Sequence, residues 1–315
     1  MITQNDNIVK KKTTANEIVG AFAEHKKFAQ SIQLQIASFL SGAKRDRVLS
    51  CGDYLELSKY KDPLNTTKLS SANFCKNRLC PMCAWRDHLK LFEPLTQAVN
   101  TLNDKELYHI VLTIPNQKYL TKDFFTSFKE KAVAFLRKDI GINDYIMSLE
   151  ITVSEIGDYH PHFHILAIAS DLENRARRDL QYKWAQRLKV NRSWVILYVE
   201  KADNTTLNEL TKYIVKFESK STPTEKLQGI YLATKGIRRY SLAGAFKTAY
   251  KTAQLILKIQ KTDEKTELLK YGQPEIEFYK WLGTGYTKYT QEKAPSTLTS
   301  GDDITIFEND CISFD

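Results

Sequence analysis

Three of the six histidines in this 315-residue chain fall at 160, 162 and 164, in the stretch "YHPHFHILA". Side chains alternate faces along a β-strand, so the three imidazoles share one face while Pro161, Phe163 and Ile165 take the other. Adjacent same-face histidines stand about 6.6 Å apart and can reach one ion, whereas the outer two are separated by about twice that distance. Phe163 can anchor in a core between 162 and 164, and Pro161 suits the beginning of a strand. His162 and His164 are therefore the expected pair for a divalent ion. A third ligand should come from the neighbouring strand "YIMSLEITVSE", where Glu150 and Glu155 are the candidates. A two- or four-residue hairpin loop would set Ile151 and Val153 opposite the histidines. An odd-length loop would set Glu150 opposite His164 and Thr152 opposite His162, and the sequence leaves that parity open.

A second group of metal-type residues lies upstream. Cys51 in "SCGDY" and Cys75, Cys80 and Cys83 in "FCKNRLCPMC" make up four of the five cysteines. Zinc takes four soft ligands in a tetrahedron, and a C-x-x-C turn supplies two of them. The expectation is a structural Zn²⁺ held by Cys51, Cys75, Cys80 and Cys83, with His88 competing with Cys51 for the fourth place. Lys76, Arg78, Arg86 and Lys90 surround the cluster and suit a face turned to DNA.

A third stretch, "NTTLNELTKYIVKFESK", has helical periodicity. Leu207, Leu210, Ile214 and Phe217 make its apolar face, and Glu209, Tyr213, Lys216 and Lys220 form an adjacent stripe. Beside a histidine metal site, a tyrosine on such a stripe is a candidate nucleophile.

These groups need a scaffold, and the pattern predicts an α+β one with a largely antiparallel sheet. Residues 26–44 read as a helix with Ile32, Ile36 and Leu40 on one face and Gly42 as its C-cap. "YHIVLTI" reads as a strand, Thr121 to Asp139 as a helix, and 145–155 with 160–170 as a hairpin turning at Gly157-Asp158. Residues 171–189 read as helix, "WVILYVE" as strand and 205–219 as helix. A helix at 225–233, a basic turn "KGIRRY" and a helix to about 260 follow, then aromatic residues 271–290 as strand or irregular structure. The expected units are a tail and helix (1–48), a cysteine-rich zinc-binding segment (49–92), a catalytic domain (105–260) and an extension with an acidic tail (261–315).

Forty-six Lys and Arg against 37 Asp and Glu give a net charge of +9, although the last fifteen residues carry only acids. That excess suits nucleic acid. Neither a signal peptide nor a bilayer-spanning apolar run is visible, so a cytoplasmic protein without a membrane partner is expected, with reduced thiols.

Together, "HPHFH", "ELTKYIVK", "HIVLTI", "CGDYL" with "ANFCKNRLCPMCAWR", and "GIRRYSLAGAFK" resemble the rolling-circle plasmid replication initiator (Rep) proteins of the HUH endonuclease superfamily. The likeness spans roughly residues 45 to 250. It implies an antiparallel sheet with the histidines at its centre and helices over it, and it selects Glu150 as third ligand. The implied chemistry is metal-assisted attack by Tyr213 on single-stranded or hairpin-extruded plasmid origin DNA, giving a 5′-phosphotyrosine link and a 3′-OH primer. Glu209 is then the base for termination and Lys216 the residue that orients phosphate or lowers the tyrosine pKa. Mn²⁺ or Mg²⁺ would serve as the catalytic ion, with Lys212, Lys220, Arg78, Arg86, Arg238 and Arg239 on DNA, and a host helicase and DNA polymerase as partners. Two other readings share these residues: a transposase or relaxase of the same superfamily, and a non-catalytic zinc-containing DNA-binding repressor.

Overall fold

The computed structural model describes residues 13–102, 104–170, 172, 177–202, 206, 210, 222–290 and 299–300. Two five-stranded antiparallel sheets, each with helices against it, make up an α+β fold. The central sheet joins β3 (Leu107–Thr113), β4 (Tyr145–Val153), β5 (Tyr159–Ile168), β6 (Leu197–Lys201) and β7 (Tyr240–Ala243) in the order β6-β3-β5-β4-β7.

Alternation along these strands gives the sheet two different faces. Ile110, Leu112, Met147, Leu149, Phe163 and Ile165 point to one side. There they pack on α4 (Lys122–Ala134), the π-turn Phe135–Asp139 and α5 (Arg177–Leu188), through Phe128, Phe135 and Trp184 among others. Trp184 Nε1 donates to the Thr113 carbonyl at 2.7 Å, so this core is pinned to the end of β3 by a satisfied buried polar group. On the opposite side, Ile146 and Leu166 pack against Leu91 and Leu95 of α3 (Pro81–Asn100) and Phe246 and Tyr250 of α7 (Gly244–Leu269). Farther along the same strands, that second side carries Ser148, Glu150, His162 and His164.

The other sheet, in the order β10-β2-β1-β8-β9, is built from β1 (Tyr54–Lys59), β2 (Thr67–Ala72), β8 (Glu275–Trp281), β9 (Tyr286–Tyr289) and β10 (Thr299–Ser300). The aromatic stretch after residue 271 therefore folds back more than two hundred residues to pair with the strand that follows Cys51. The remaining helices are α1 (Ala15–Ser38), α2 (Gly42–Leu49) and α6 (Thr224–Thr234). No described helix is long and apolar enough to cross a membrane.

Several expectations need correction. The first helix begins at Ala15, closed by a capping box in which Thr14 Oγ1 accepts from Glu17 N and Glu17 Oε2 accepts from Thr14 N. It ends at Ser38, and Gly42, at φ +54°, starts α2 instead of capping α1. The β4–β5 loop, Ser154–Asp158, has five residues and Gly157 at φ +83°. Its odd length sets Glu150 opposite His162 and Thr152 opposite His160, two residues beyond the pairing expected for an odd loop. Strand β6 starts at Leu197 because Arg192–Trp194 form a 3₁₀ turn, and α7 runs on to Leu269. Tyr240–Ala243, where the basic turn was expected to pass directly into a helix, is the edge strand β7 paired with β4.

The start of α7 shows how tightly this edge is built. Gly244 has φ +54°, and a Cβ there would lie 1.9 Å from Asp144 Oδ1, the same oxygen that accepts from Ala245 N at 2.6 Å. Gly20, inside α1, has nothing within 4 Å of the corresponding position. Gly244→Ala is expected to lower stability in chemical denaturation by ~1–3 kcal/mol, while Gly20→Ala raises it by ~0.5–1 kcal/mol. Equal effects of the two substitutions would contradict the described cap.

Candidate functional site

The β4–β5 register brings three potential ligands into one cluster. Glu150 Oε2 lies 2.5 Å from His162 Nε2 and 2.9 Å from His164 Nε2. One ligand atom from each residue lies within 4.8 Å of the others, so the group could hold a metal ion. All three residues are buried. Burial pushes the Glu150 carboxyl up, but hydrogen bonds from His162 and His164, with their charges, more than offset this and hold it at about 2. Burial lowers the His164 pKa, and Glu150 opposes part of that shift. A carboxylate that stays ionised beside two imidazoles is a donor set suited to a divalent cation. The Ser148 hydroxyl, fully buried and opposite His164, has no hydrogen-bond partner among the described residues.

His160 stands apart from this group. Its Nδ1 lies 2.7 Å from Asn116 Oδ1, and it is not among the residues whose ligand atoms converge. Glu155 lies in the hairpin loop.

The cysteines form the second cluster. The ligand atoms of Cys51, Cys75, Cys80 and Cys83 lie within 4.8 Å of one another, none is in a disulfide, and the group could hold a metal ion. Cys75 N donates to Cys51 Sγ at 3.2 Å, Asn77 N to Cys75 Sγ at 3.4 Å, and Gln33 Nε2 to Cys80 Sγ at 3.4 Å. Burial pushes the Cys51 thiol up, whereas hydrogen bonds from the other three cysteines and from Gln33 draw Cys80 well down. A buried lysine lies close by: Lys26 Nζ donates to the Cys51 carbonyl at 2.7 Å and pairs with Asp53 at 2.8 Å. His88 is buried on α3 with its ring 5.5 Å from that of Phe92, outside the four-residue group.

The basic residues meet at one boundary. Arg78 donates from Nη1 to the Ile237 carbonyl, which joins the cysteine segment to the KGIRR turn. Arg239 is half-buried, and burial, with repulsion from Arg78, brings its pKa down to about 10. Arg238 is exposed with its guanidinium 6.0 Å from the Tyr240 ring centre. Arg86 is half-buried over the Phe74 ring at 4.9 Å, a contact that ties it to the core.

Glu209, Lys212, Tyr213, Lys216 and Lys220 lie outside the described residues, as does most of the helix expected at 205–219. Two positions of that stretch are described. Thr206 and Leu210 are helical and buried, and Leu210 packs with Ile146 and Leu166 on the histidine side of the sheet.

The sequence reading passed over His109, Ser148, Lys26 and Gln33. His109 was accessible to the same alternation, since 109, 111 and 113 share a face of β3. The other three depend on contacts between distant segments.

The fold and its two ligand clusters define an α+β protein with a carboxylate-histidine centre on one sheet and a four-cysteine centre beside the other. The sequence model of the replication-protein family matches residues 66–287, the greater part of the chain, and the chain belongs to that family. "Protein rep" of Staphylococcus aureus is 34% identical over 157 residues, covering 46% of this chain and 66% of that protein. "Protein rep" of a Bacillus species is 30% identical over 154 residues, 46% of this chain and 48% of the relative. That of Streptococcus pneumoniae is 27% identical over 247 residues, 67% of this chain and 72% of the relative. The chain thus spans about half to two thirds of the length of the first two relatives. No solved structure matches it.

The geometry separates the three histidines in solution. Titration calorimetry with Mn²⁺ should give affinity at least ~100-fold weaker for Glu150→Ala and for His162→Ala, because even indirect contacts to a metal ligand carry 10–100-fold effects. His160→Ala should bind almost as the unmodified chain does. Equal loss in His160→Ala would place His160 in the coordination group.

Proposed function

We propose that this protein is a plasmid rolling-circle replication initiator, which nicks single-stranded or hairpin-extruded origin DNA by tyrosine transesterification. The observation that carries the reading is the convergence of Glu150, His162 and His164 on the sheet side where helical Leu210 is buried. Tyr213 follows Leu210 by three residues in the sequence, the spacing of neighbouring turns in the helix expected at 205–219.

Glu150, His162 and His164 would hold the divalent ion, Mn²⁺ or Mg²⁺, which supplies charge neutralisation at a non-bridging oxygen of the scissile phosphate. Tyr213 gives up its phenolic proton and attacks phosphorus in line. The new bond joins tyrosine oxygen to the 5′-phosphate, the bond to the 3′ oxygen breaks, and that oxygen leaves as a hydroxyl that primes the host polymerase. The phosphodiester energy is conserved in the link for later rejoining. Lys216 orients the phosphate or favours the phenolate, and Glu209, four residues before Tyr213 in the sequence, activates water for the terminating cleavage. Arg78, Arg238 and Arg239, together with Lys212 and Lys220, hold the DNA backbone, and Arg86 contributes charge from its place over Phe74. A host helicase opens the duplex ahead, and the protein acts in the cytoplasm.

The cysteine cluster would hold Zn²⁺ as a closed structural site. Lys26 beside it offsets the negative charge that four thiolates place on the ion. Because Lys26 and Gln33 belong to α1, the zinc site and that helix should be lost together.

Two measurements test these assignments. Tyr213→Phe should bind origin single strands as the unmodified chain does but form no covalent adduct on denaturing electrophoresis with Mn²⁺. A persistent adduct would remove Tyr213 from the chemistry, and a shifted complex without any adduct in the unmodified chain would favour a repressor. Elemental analysis should find about one zinc per chain, and chelation should unfold the cysteine segment with α1, as expected for a structural site worth on the order of 10 kcal/mol. Active protein without zinc would contradict the structural site.

A further inference from the structure

An imidazole that presents Nε2 to an ion is oriented by what its Nδ1 holds. His162 uses its own strand, with Nδ1 3.1 Å from the His160 carbonyl oxygen. His164 instead reaches across the sheet, its Nδ1 3.2 Å from Nε2 of His109. The two rings are nearly parallel, at 15°, with centres 5.5 Å apart. His109 Nδ1 in turn lies 3.0 Å from Glu200 Oε1, directly opposite it on β6, and Glu200 Oε2 accepts from the Tyr198 hydroxyl at 2.5 Å.

We propose that His109 and Glu200 are positioning residues for His164, a relay across β5, β3 and β6 that sets which of its nitrogens faces the ion. With an ion bound, His164 Nε2 offers a lone pair, and the hydrogens follow from the remaining partners. A carboxylate only accepts, so His109 carries its proton on Nδ1, toward Glu200. Its Nε2 is then an acceptor, and the hydrogen in the 3.2 Å contact belongs to His164 Nδ1. When an ion binds, the proton that His164 Nε2 shares with Glu150 in the ion-free site leaves, and the Nδ1–H held by His109 keeps the Nε2 lone pair toward the ion. Tyr198 holds the far end by fixing the Glu200 carboxylate. His109 is buried and both its nitrogens are engaged away from Glu150, so it acts through His164 and not on the ion. This inference rests on the reading of Glu150, His162 and His164 as a metal centre.

The test uses the full chain with its zinc and measures Mn²⁺ affinity by calorimetry or by the electron paramagnetic resonance of free Mn²⁺. His109→Phe keeps a flat ring and removes the acceptor; affinity should fall ~10–100-fold, with one site still filled at high Mn²⁺ and zinc content unchanged. His109→Gln, whose amide oxygen can still accept from His164, should recover most of the loss, which a purely space-filling role would not allow. Glu200→Ala, on an edge strand and partly exposed, should weaken binding in the same direction and serves if His109→Phe fails to fold. Unchanged affinity in folded His109→Phe and in Glu200→Ala would overturn the relay. Loss of the site in His109→Phe at every Mn²⁺ concentration would also overturn it, by making His109 a direct ligand. If the unmodified chain binds no Mn²⁺, the metal-centre reading fails and the relay with it, an outcome visible before any variant is made.

Discussion

Everything at the candidate centre depends on the parity of one hairpin. The five-residue loop between β4 and β5 places even-numbered residues of both strands on the same face, so Glu150, His162 and His164 share it while Leu149 and Phe163 enter the opposite core. A loop one residue longer or shorter would put the carboxylate in that core, on the opposite side of the sheet from the histidines. The strong apolar alternation of Met147, Leu149, Phe163 and Ile165 holds the register, because slipping it by one would drive the polar set into the apolar core under α4 and α5. The hydrophobic face thus specifies the polar one.

The second organising element is α3. Its first turns carry Cys80 and Cys83 with Met82 and Trp85 in the core of the cysteine sheet, and its later turns put Leu91, Leu95 and Ala98 against the central sheet. One continuous helix therefore links the cysteine cluster to the sheet that bears Glu150. The buried charge network of Lys26, Gln33, Asp53 and Cys51 ties α1 into the same unit, so the two ligand clusters are parts of one packed structure. The Arg78 contact with Ile237 adds a second, polar link between them.

What could be read from residues alone follows the range of the interaction. Alternation within β3, β4 and β5 and the C-x-x-C turn are local, and they place the histidines on one face and the thiols near one another. The capping box of Thr14 and Glu17 was equally local, but the apolar spacing that runs from Ile18 and Phe22 to Ala29 and Ile32 is interrupted by His25 and Lys26, polar residues that are buried all the same. Gly42 read as a C-cap because a glycine after an apolar run serves either purpose, and only the following turn, Ala43–Leu49, decides. The pairing of β8 with β1, the β7 edge strand and the His109–Glu200 contact depend on segments tens to hundreds of residues apart, for which spacing carries no signal. The loop length needed to settle the Glu150 register was hidden for a related reason: strand ends shift by a residue without any change in pattern.

The central claim is that the carboxylate-histidine cluster and Tyr213 act on one phosphate. The most direct measurement is mass spectrometry of peptides from the covalent complex formed with a single-stranded origin oligonucleotide and Mn²⁺. The account predicts a 5′-nucleotide attached to the peptide containing Tyr213, formed only when the divalent ion is present. A nucleotide on any other residue, or cleavage that leaves a free 5′-phosphate without an adduct, would contradict it.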